Sequence, residues 1–206
     1  MEKQFKEMGL IDWVNIYRFN QACIKEHGEG NTRSLGWRDD NSQLLRFNAL
    51  AGIGDMSGCS VLDAGCGYGD LCAYLNDRYS DISYTGIDQM EEFLSIAAQR
   101  YGHMSKTTFL YGDFTSNNLP QADYVFASGS LNYFNNEPGF IYRIIHKLFN
   151  ACNVALGFNL LSDIVPLGLL VAYDVNVIIT YCQKLSNNVI FHQDYSADDF
   201  TVWMYK

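Results

Sequence analysis

The sequence predicts a doubly wound α/β domain, a mostly parallel sheet covered by helices on both faces, preceded by an N-terminal helical cap. Three observations carry this expectation. From residue 60 onward, short β-rich runs alternate with stretches of helical period, the pattern of parallel strands joined by crossover helices. The first of these runs leads into "DAGCGYGD" (63–70), a glycine turn between a buried strand and a helix. Two strands in direct succession close the chain, which implies a terminal antiparallel pair.

The elements follow in order. Residues 10–26 space Ile11, Val14, Tyr17 and Ile24 as one face of an amphipathic helix, and "HGEGNTRSLG" (27–36) reads as a loop from its glycines and polar residues. A second helix starts at Asp40 or Asn41, both good caps, and runs through "SQLLRFNAL" to the glycines at 52 and 54. Then come a strand at 60–64, a helix at 70–79, the strand "ISYTGID" (82–88) and a helix at 90–100. The strands "TTFLYGD" (107–113) and "DYVFAS" (123–128) precede a helix at 138–149 and the strand "NVALGFNL" (153–160). An irregular apolar loop around Pro166, a helix at 174–185, and the strands "NVIFHQ" (188–193) and "FTVWMYK" (200–206) complete the chain. Residues 1–57 are the expected cap or lid and 58–206 the core of what is a single domain overall.

Composition narrows the function classes. A chain of 206 residues buries about 70% of its unfolded surface and needs no staples. Its formal charge of −9 repels polyanions, so a nucleic-acid partner is disfavoured. Six cysteines (Cys23, Cys59, Cys66, Cys72, Cys152, Cys182) are scattered without a C-x-x-C pair, and no apolar signal segment leads the chain. Buried free thiols in a reducing cytoplasm are the expectation. The longest apolar run, 164–177, is interrupted by Pro166, Gly168 and Asp174, so no membrane span is expected.

In such a sheet the ligand crevice lies at the carboxyl ends of the strands. Gly65, Gly67 and Gly69 would keep Cβ atoms out of the first turn, so that a ligand can lie against the backbone and the helix N-terminus can offer N–H groups. Asp88 ends the second strand, where a carboxylate can accept from both hydroxyls of a ribose; Asp113 ends the third, beside Phe114. An acid at a strand end is commonly only a helix cap, as Asp70 can be; three in register point to a ligand. A dinucleotide is the competing ligand, but "DAGCGYG" lacks the G-x-x-G spacing that lets a helix approach a pyrophosphate.

These stretches resemble the class I S-adenosylmethionine-dependent methyltransferases. "VLDAGCGYG" (61–69) is similar to that family's first motif and "TGIDQM" (85–90) to its ribose-binding motif. "YGDF" (111–114) is similar to its adenine motif, and "ADYVFASGSLNYF" (122–134) to its fourth strand and active-site loop. The resemblance covers about residues 58–206, and "FNLLSD" (158–163) and "HQDYSADDFTVWMYK" (192–206) are similar to a subgroup of small bacterial methyltransferase-like proteins. It implies a Rossmann-like sheet with a reversed last strand, S-adenosyl-L-methionine as cofactor and S-adenosyl-L-homocysteine as product. It further implies Asp63, Gly65 and Gly67 around the methionine moiety, Asp88 at the ribose, Asp113 and Phe114 at the adenine, and Ser128 and Gly129 beside the sulfonium. Cys66 and Gln89 join the cofactor-binding set, and Arg46 of the cap is placed to reach the cofactor carboxylate, with Trp37 and Gln43 nearby.

Methyl transfer from a sulfonium is an in-line displacement that positioning can largely drive, so a dedicated base is optional. The chain lacks the Asn/Asp-Pro-Pro-Tyr tetrapeptide of amide and base N-methylation and the Pro-Cys pair of cytosine C5 methylation, which favours a small-molecule acceptor. Asn132, Tyr133 and Tyr173 are the expected catalytic residues; a turn residue, packed aromatics and, for Asp174, a helix cap are the plainer readings. His192 with Asp194 and Tyr195 can form a base or a solvated loop pair. His27, His103 and His146 have no partner at ligand spacing, so no metal site is expected. The cap and the loop around Pro166 are expected to close over the site of a monomer or homodimer. Two other uses of the fold stay open: attack on the aminocarboxypropyl side, with cyclisation to azetidine-2-carboxylate and methylthioadenosine release, and a non-catalytic cofactor-binding module.

Overall fold

A computed structural model of the chain describes residues 8–164 and 168–206. Helix α1 (Leu10–His27), a short 3-10 turn (Thr32–Leu35) and α2 (Asp40–Ala51) precede β1 (Ser60–Ala64), α3 (Asp70–Asn76), β2 (Ser83–Asp88), α4 (Glu91–Tyr101) and β3 (Thr107–Tyr111). Then follow β4 (Ala122–Ala127), α5 (Phe140–Ala151), β5 (Cys152–Leu161), α6 (Val175–Cys182), β6 (Asn188–His192) and β7 (Asp199–Tyr205). The seven strands form one sheet in the order β3-β2-β1-β4-β5-β7-β6. All pairings are parallel except those of β7, which runs against both β5 and β6. The last strand is thus reversed, and it enters between two strands already laid down.

Burial explains the strand composition. Val61 and Leu62 of β1 both lie in the core but on opposite faces of the sheet, as the two-residue period requires. One face packs Ile144, Ile145 and Leu148 of α5 against Val125, Leu156 and Val202; the other packs Leu50 of α2 and Leu71 and Leu75 of α3 against Val61, Tyr84 and Phe126. Leu50 is fully buried, worth about 2 kcal/mol of transfer free energy. Helix α2 therefore belongs to the sheet layers, while α1, the 3-10 turn and Trp37 lie over the strand ends. Its start is set by a capping box, in which Asp39 Oδ1 accepts from the Ser42 N–H at 2.7 Å.

Several boundaries differ from expectation. Helix α1 buries Asp12, Ile16 and Asn20, while Ile11 is exposed. Its inner face is chosen by hydrogen bonds to a distant loop, which an apolar period cannot reveal. The 27–36 loop contains the 3-10 turn, capped by the Asn31 side chain accepting from the Arg33 N–H at 2.9 Å. Strand β3 stops at Tyr111, so Asp113 lies beyond it in a turn, and α5 starts at Phe140 because Gly139 holds a left-handed φ of 76°. Helix α3 stops at Asn76, and α6 runs only from Val175 to Cys182. Pro166 lies outside the described residues, and its expected closure over the site lies there with it.

Candidate active site

The strand order reverses between β1 and β4, and a cavity of about 410 Å³ opens at the carboxyl ends of these strands. The cap reaches it through polar contacts. Asn136 donates to Asp12 of α1, Nδ2 to Oδ1 at 2.5 Å, and the Tyr133 hydroxyl donates to Asn20 Oδ1 at 3.4 Å. The Ser34 and Tyr68 hydroxyls lie 2.8 Å apart, which ties the 3-10 turn to the glycine turn. Trp37 covers Gly129, where a Cβ would come within 2.6 Å of the indole.

The glycine turn is explained differently from the sequence reading. Gly65 has φ 82° and Gly67 φ 53°, the left-handed region that favours glycine. A Cβ on Gly65 would sit 2.4 Å from Ser130 Cβ, and one on Gly67 2.9 Å from Leu35 Cδ2. The room these glycines leave is taken by the protein's own side chains, so the turn is pinned between the loop after β4 and the cap. Gly67 then aims its N–H at Asp88 Oδ2, 2.9 Å away, while Asp88 Oδ1 accepts from the Met90 N–H at 2.9 Å. Asp70, at the start of α3, is not a cap; it is held by Arg100, Tyr101 and Gln43 at 3.3–3.4 Å.

The cavity floor is rich in acceptors. Asp63 is buried and accepts from the Tyr84 hydroxyl at 2.5 Å through Oδ2, while its Oδ1 has no hydrogen-bond partner. Burial pushes its pKa up to about 7 against the opposing pull of the Tyr84 bond, and Asp88 and Asp70 raise it further. Burial likewise raises Asp88 to about 6, restrained by the N–H groups of Met90, Gly67 and Gln89. Gln89 Oε1, also in the cavity wall, is buried without a partner. Unpaired acceptors beside two carboxyl groups in a low dielectric suit a ligand that brings hydrogen-bond donors and positive charge. Cys66 lines the same wall, but burial and the Asp88 and Asp63 carboxylates raise its pKa, so it stays a thiol.

Asp113, Phe114, Ser128 and Gly129 all line the cavity, as does Arg46. Asp113 also caps its own turn, Oδ1 accepting from the Thr115 N–H at 2.8 Å and Oδ2 from the Thr115 and Ser116 hydroxyls at 2.9 and 2.8 Å. Arg46 is not a solvated helix arginine. It is buried, donates from Nε to Asp199 Oδ2 at 2.8 Å and from Nη1 to the Ser42 carbonyl at 2.9 Å, and lies 5.1 Å from the centre of the Trp37 ring.

The expected catalytic residues divide. Asn132 borders the cavity, but its amide clamps the chain: Oδ1 accepts from the Leu161 N–H at 2.9 Å and Nδ2 donates to the Gly129 carbonyl at 3.4 Å. Asn132→Ala is expected to cost about 1–3 kcal/mol in urea unfolding, because two buried backbone contacts lose their partner. Tyr133 lines the cavity edge-on to Phe19, and burial, with Asp88 adding, raises its pKa well above the usual phenol range. It cannot serve as a base near neutral pH. Tyr173 is a correction: it is not in the cavity wall, packs on the core and donates to the Leu131 carbonyl at 3.3 Å. Residues 169–171 pair with 132–134 in a short antiparallel contact, and it is Leu170 of this segment that lines the cavity. Asp174 caps α6, accepting from the Val177 N–H at 3.0 Å.

His192, Asp194 and Tyr195 face a separate, shallow cleft on the α2 side, where His192 packs on Trp203 at 4.3 Å, so no His192 base reaches the main cavity. All six cysteines are free thiols. Among the described residues no three His, Cys, Asp or Glu side chains gather as a metal site, and no helix is long and apolar enough to cross a membrane. The sequence reading missed Asn135, whose Nδ2 is buried in the cavity wall without a partner, and it left Leu35 and Asn20 without a role. Polar residues at the i, i+8 positions Asp12 and Asn20 were the one available signal.

Comparison with known proteins agrees with this fold. Residues 61–150 match the family described as methyltransferase domain. The magnesium-protoporphyrin O-methyltransferase of Rhodobacter capsulatus is 33% identical over 106 residues, 50% of this chain and 46% of that protein. The chain matches less than half the length of its curated relatives, 46% and 42%. Magnesium protoporphyrin IX methyltransferase from Synechocystis PCC 6803, solved with bound S-adenosylmethionine, superposes with a TM-score of 0.68 at 17% identity, covering 98% of this chain and 100% of that one. The N-methyltransferase NodS from Bradyrhizobium japonicum, solved with S-adenosylhomocysteine, gives 0.65 at 17% identity over 93% of this chain and 98% of that one. These two likenesses establish the fold. Residues 61–150 thus match the methyltransferase-domain family, and the sheet around them has the fold of these solved methyltransferases.

Proposed function

We propose that this chain transfers a methyl group from S-adenosylmethionine to a small-molecule acceptor and releases S-adenosylhomocysteine. The observation that carries this is the acceptor-rich floor, where Asp63 Oδ1 and Gln89 Oε1 are buried and unpaired next to Asp88 at the topological switch point. When bound, the cofactor supplies a methyl group on a positively charged sulfur whose leaving group is already activated. Asp63, with the Gly65–Gly67 turn and Cys66, holds its charged amino-acid end, and Arg46 takes the carboxylate. Asp88 and Gln89 receive the ribose hydroxyls through lone pairs the backbone bonds leave free. Asp113 and Phe114 border the adenine, and Ser128 and Gly129 the sulfur.

On the acceptor side Tyr133 contributes its ring, and Asn132 positions the loop that carries Ser128 and Gly129. Because the Tyr133 hydroxyl stays protonated, Tyr133 acts by orientation and exclusion of water rather than as a base. The net charge of −9 and a cavity roofed by α1 favour a small molecule over a nucleic acid. One chain builds the whole cavity, so a monomer or a homodimer serves equally, and six free thiols suit a reducing cytoplasm. Cyclisation and a non-catalytic role have no observation in their favour.

The test is mass spectrometry of the protein incubated with S-adenosylmethionine, alone and with a small-molecule extract of its source cells. S-adenosylhomocysteine formed only with extract is the expected result. Methylthioadenosine released from the cofactor alone, or a cofactor left unconsumed in both, would overturn the proposal.

A further inference from the structure

Ser128 and Arg46 both line the cavity, and a line of hydrogen-bonded side chains joins them across one face of the sheet. Arg46 Nε lies 2.8 Å from Asp199 Oδ2, and the Tyr195 hydroxyl donates to Asp199 Oδ1. The Tyr195 and Thr201 hydroxyls are 2.7 Å apart. Asn159 Nδ2 lies 2.5 Å from Thr201 Oγ1 and 3.4 Å from the Tyr195 oxygen, and Asn159 Oδ1 lies 3.1 Å from Ser128 Oγ. Asp199, Thr201 and Asn159 have no exposed surface.

Counting protons gives this line a direction. Asp199, paired with Arg46, only accepts, so Tyr195 must give it its single proton. Burial and the Asp199 carboxylate push the Tyr195 pKa up, which keeps that proton in place. The Tyr195 oxygen then accepts from Thr201, and the Thr201 oxygen accepts from Asn159 Nδ2. The opposite amide orientation would set Asn159 Oδ1 against two hydroxyl oxygens with one uncommitted proton between them, and a bond would be lost. Asn159 Oδ1 therefore faces Ser128 and takes its proton.

We propose that this relay makes Ser128 Oγ a fixed acceptor at the cavity wall, selecting ligands that present positive charge or a hydrogen-bond donor there, with Asn159, Thr201 and Tyr195 as positioning residues. The inference rests on the reading that the cavity takes S-adenosylmethionine. It predicts discrimination between the charged cofactor and its neutral product at an atom set by side chains of the neighbouring strands β5 and β7.

Calorimetric titration with S-adenosylmethionine, S-adenosylhomocysteine and sinefungin, which carries an amine where the methylated sulfur stands, tests it. Ser128→Ala is expected to weaken the two cationic ligands about tenfold and S-adenosylhomocysteine less than about twofold. Thr201→Val, which touches no ligand, should shift the same ratio about threefold, and Thr201→Ser should restore it. A ratio unchanged in both Ser128→Ala and Thr201→Val, equal loss of all three ligands, or no rescue by Thr201→Ser would overturn the relay. Wild-type protein that binds none of the three would overturn the proposed function and this inference with it.

Discussion

Asp199→Ala is expected to destabilise the protein by about 3–5 kcal/mol, a fall of about 10 °C in the melting temperature. Asp199 has no exposed surface and is the ion-pair partner of Arg46, itself buried, at 2.8 Å. Removing the carboxylate leaves a buried guanidinium with the Ser42 carbonyl, the Trp37 ring and the more exposed Asp198 carboxylate as its remaining partners. The cost is that of an uncompensated buried charge, not of the lost contact alone. Replacing both members, as Arg46→Met with Asp199→Leu, should therefore recover much of the loss. A melting temperature within about 2 °C of wild type for Asp199→Ala would show that water reaches Arg46 and that the pair is not buried in solution.

The second large effect is on pH dependence. Asp63 and Asp88 carry raised values of about 7 and about 6 in the fold, both from burial first, against 3.8 for a free carboxyl group. Between about pH 4 and pH 7 the folded chain therefore holds more protons than the unfolded one, and the unliganded protein loses stability as pH rises through that window. Asp63→Asn should remove most of the slope above about pH 6 and stabilise the unliganded protein at neutral pH by on the order of 3 kcal/mol. Binding of the cationic cofactor runs the other way. It favours the ionised pair, so affinity should climb from about pH 5 to pH 7 and then level off. In Asp63→Asn the affinity should fall about tenfold and the midpoint of its pH profile move toward about 6, the value for Asp88. Titrations that stay flat across this range in the wild type would refute a charged role for the two acids.

Much of this was legible before any coordinates. The strand–helix alternation, the glycine turn and the acids at 63, 88 and 113 are local signals, because each records a strand end or a turn within a few residues of itself. The residues that failed to read correctly are those whose role is set at long range. Tyr173 is adjacent in sequence to the apolar loop but packs on the core, its hydroxyl bonded to the Leu131 carbonyl, while Leu170 lines the cavity. Arg46 was read only as a cavity residue, because its buried partner Asp199 lies 153 residues away in β7. Asn132 looked like a catalytic amide because the Leu161 N–H that occupies it belongs to another strand.

By itself the sequence determined the α/β class, the position of the crevice and the chemical character of its floor. Periodicity and glycine placement are properties of neighbouring residues, and a buried strand end followed by a left-handed turn has few solutions. Only the tertiary structure decided that β7 enters between β5 and β6, which makes the strand carrying Asp199 and Thr201 an interior one, next to the edge. That insertion buries them against Arg46 and Asn159, and a polar side chain with no water to bond must take its orientation from whatever partner the fold delivers.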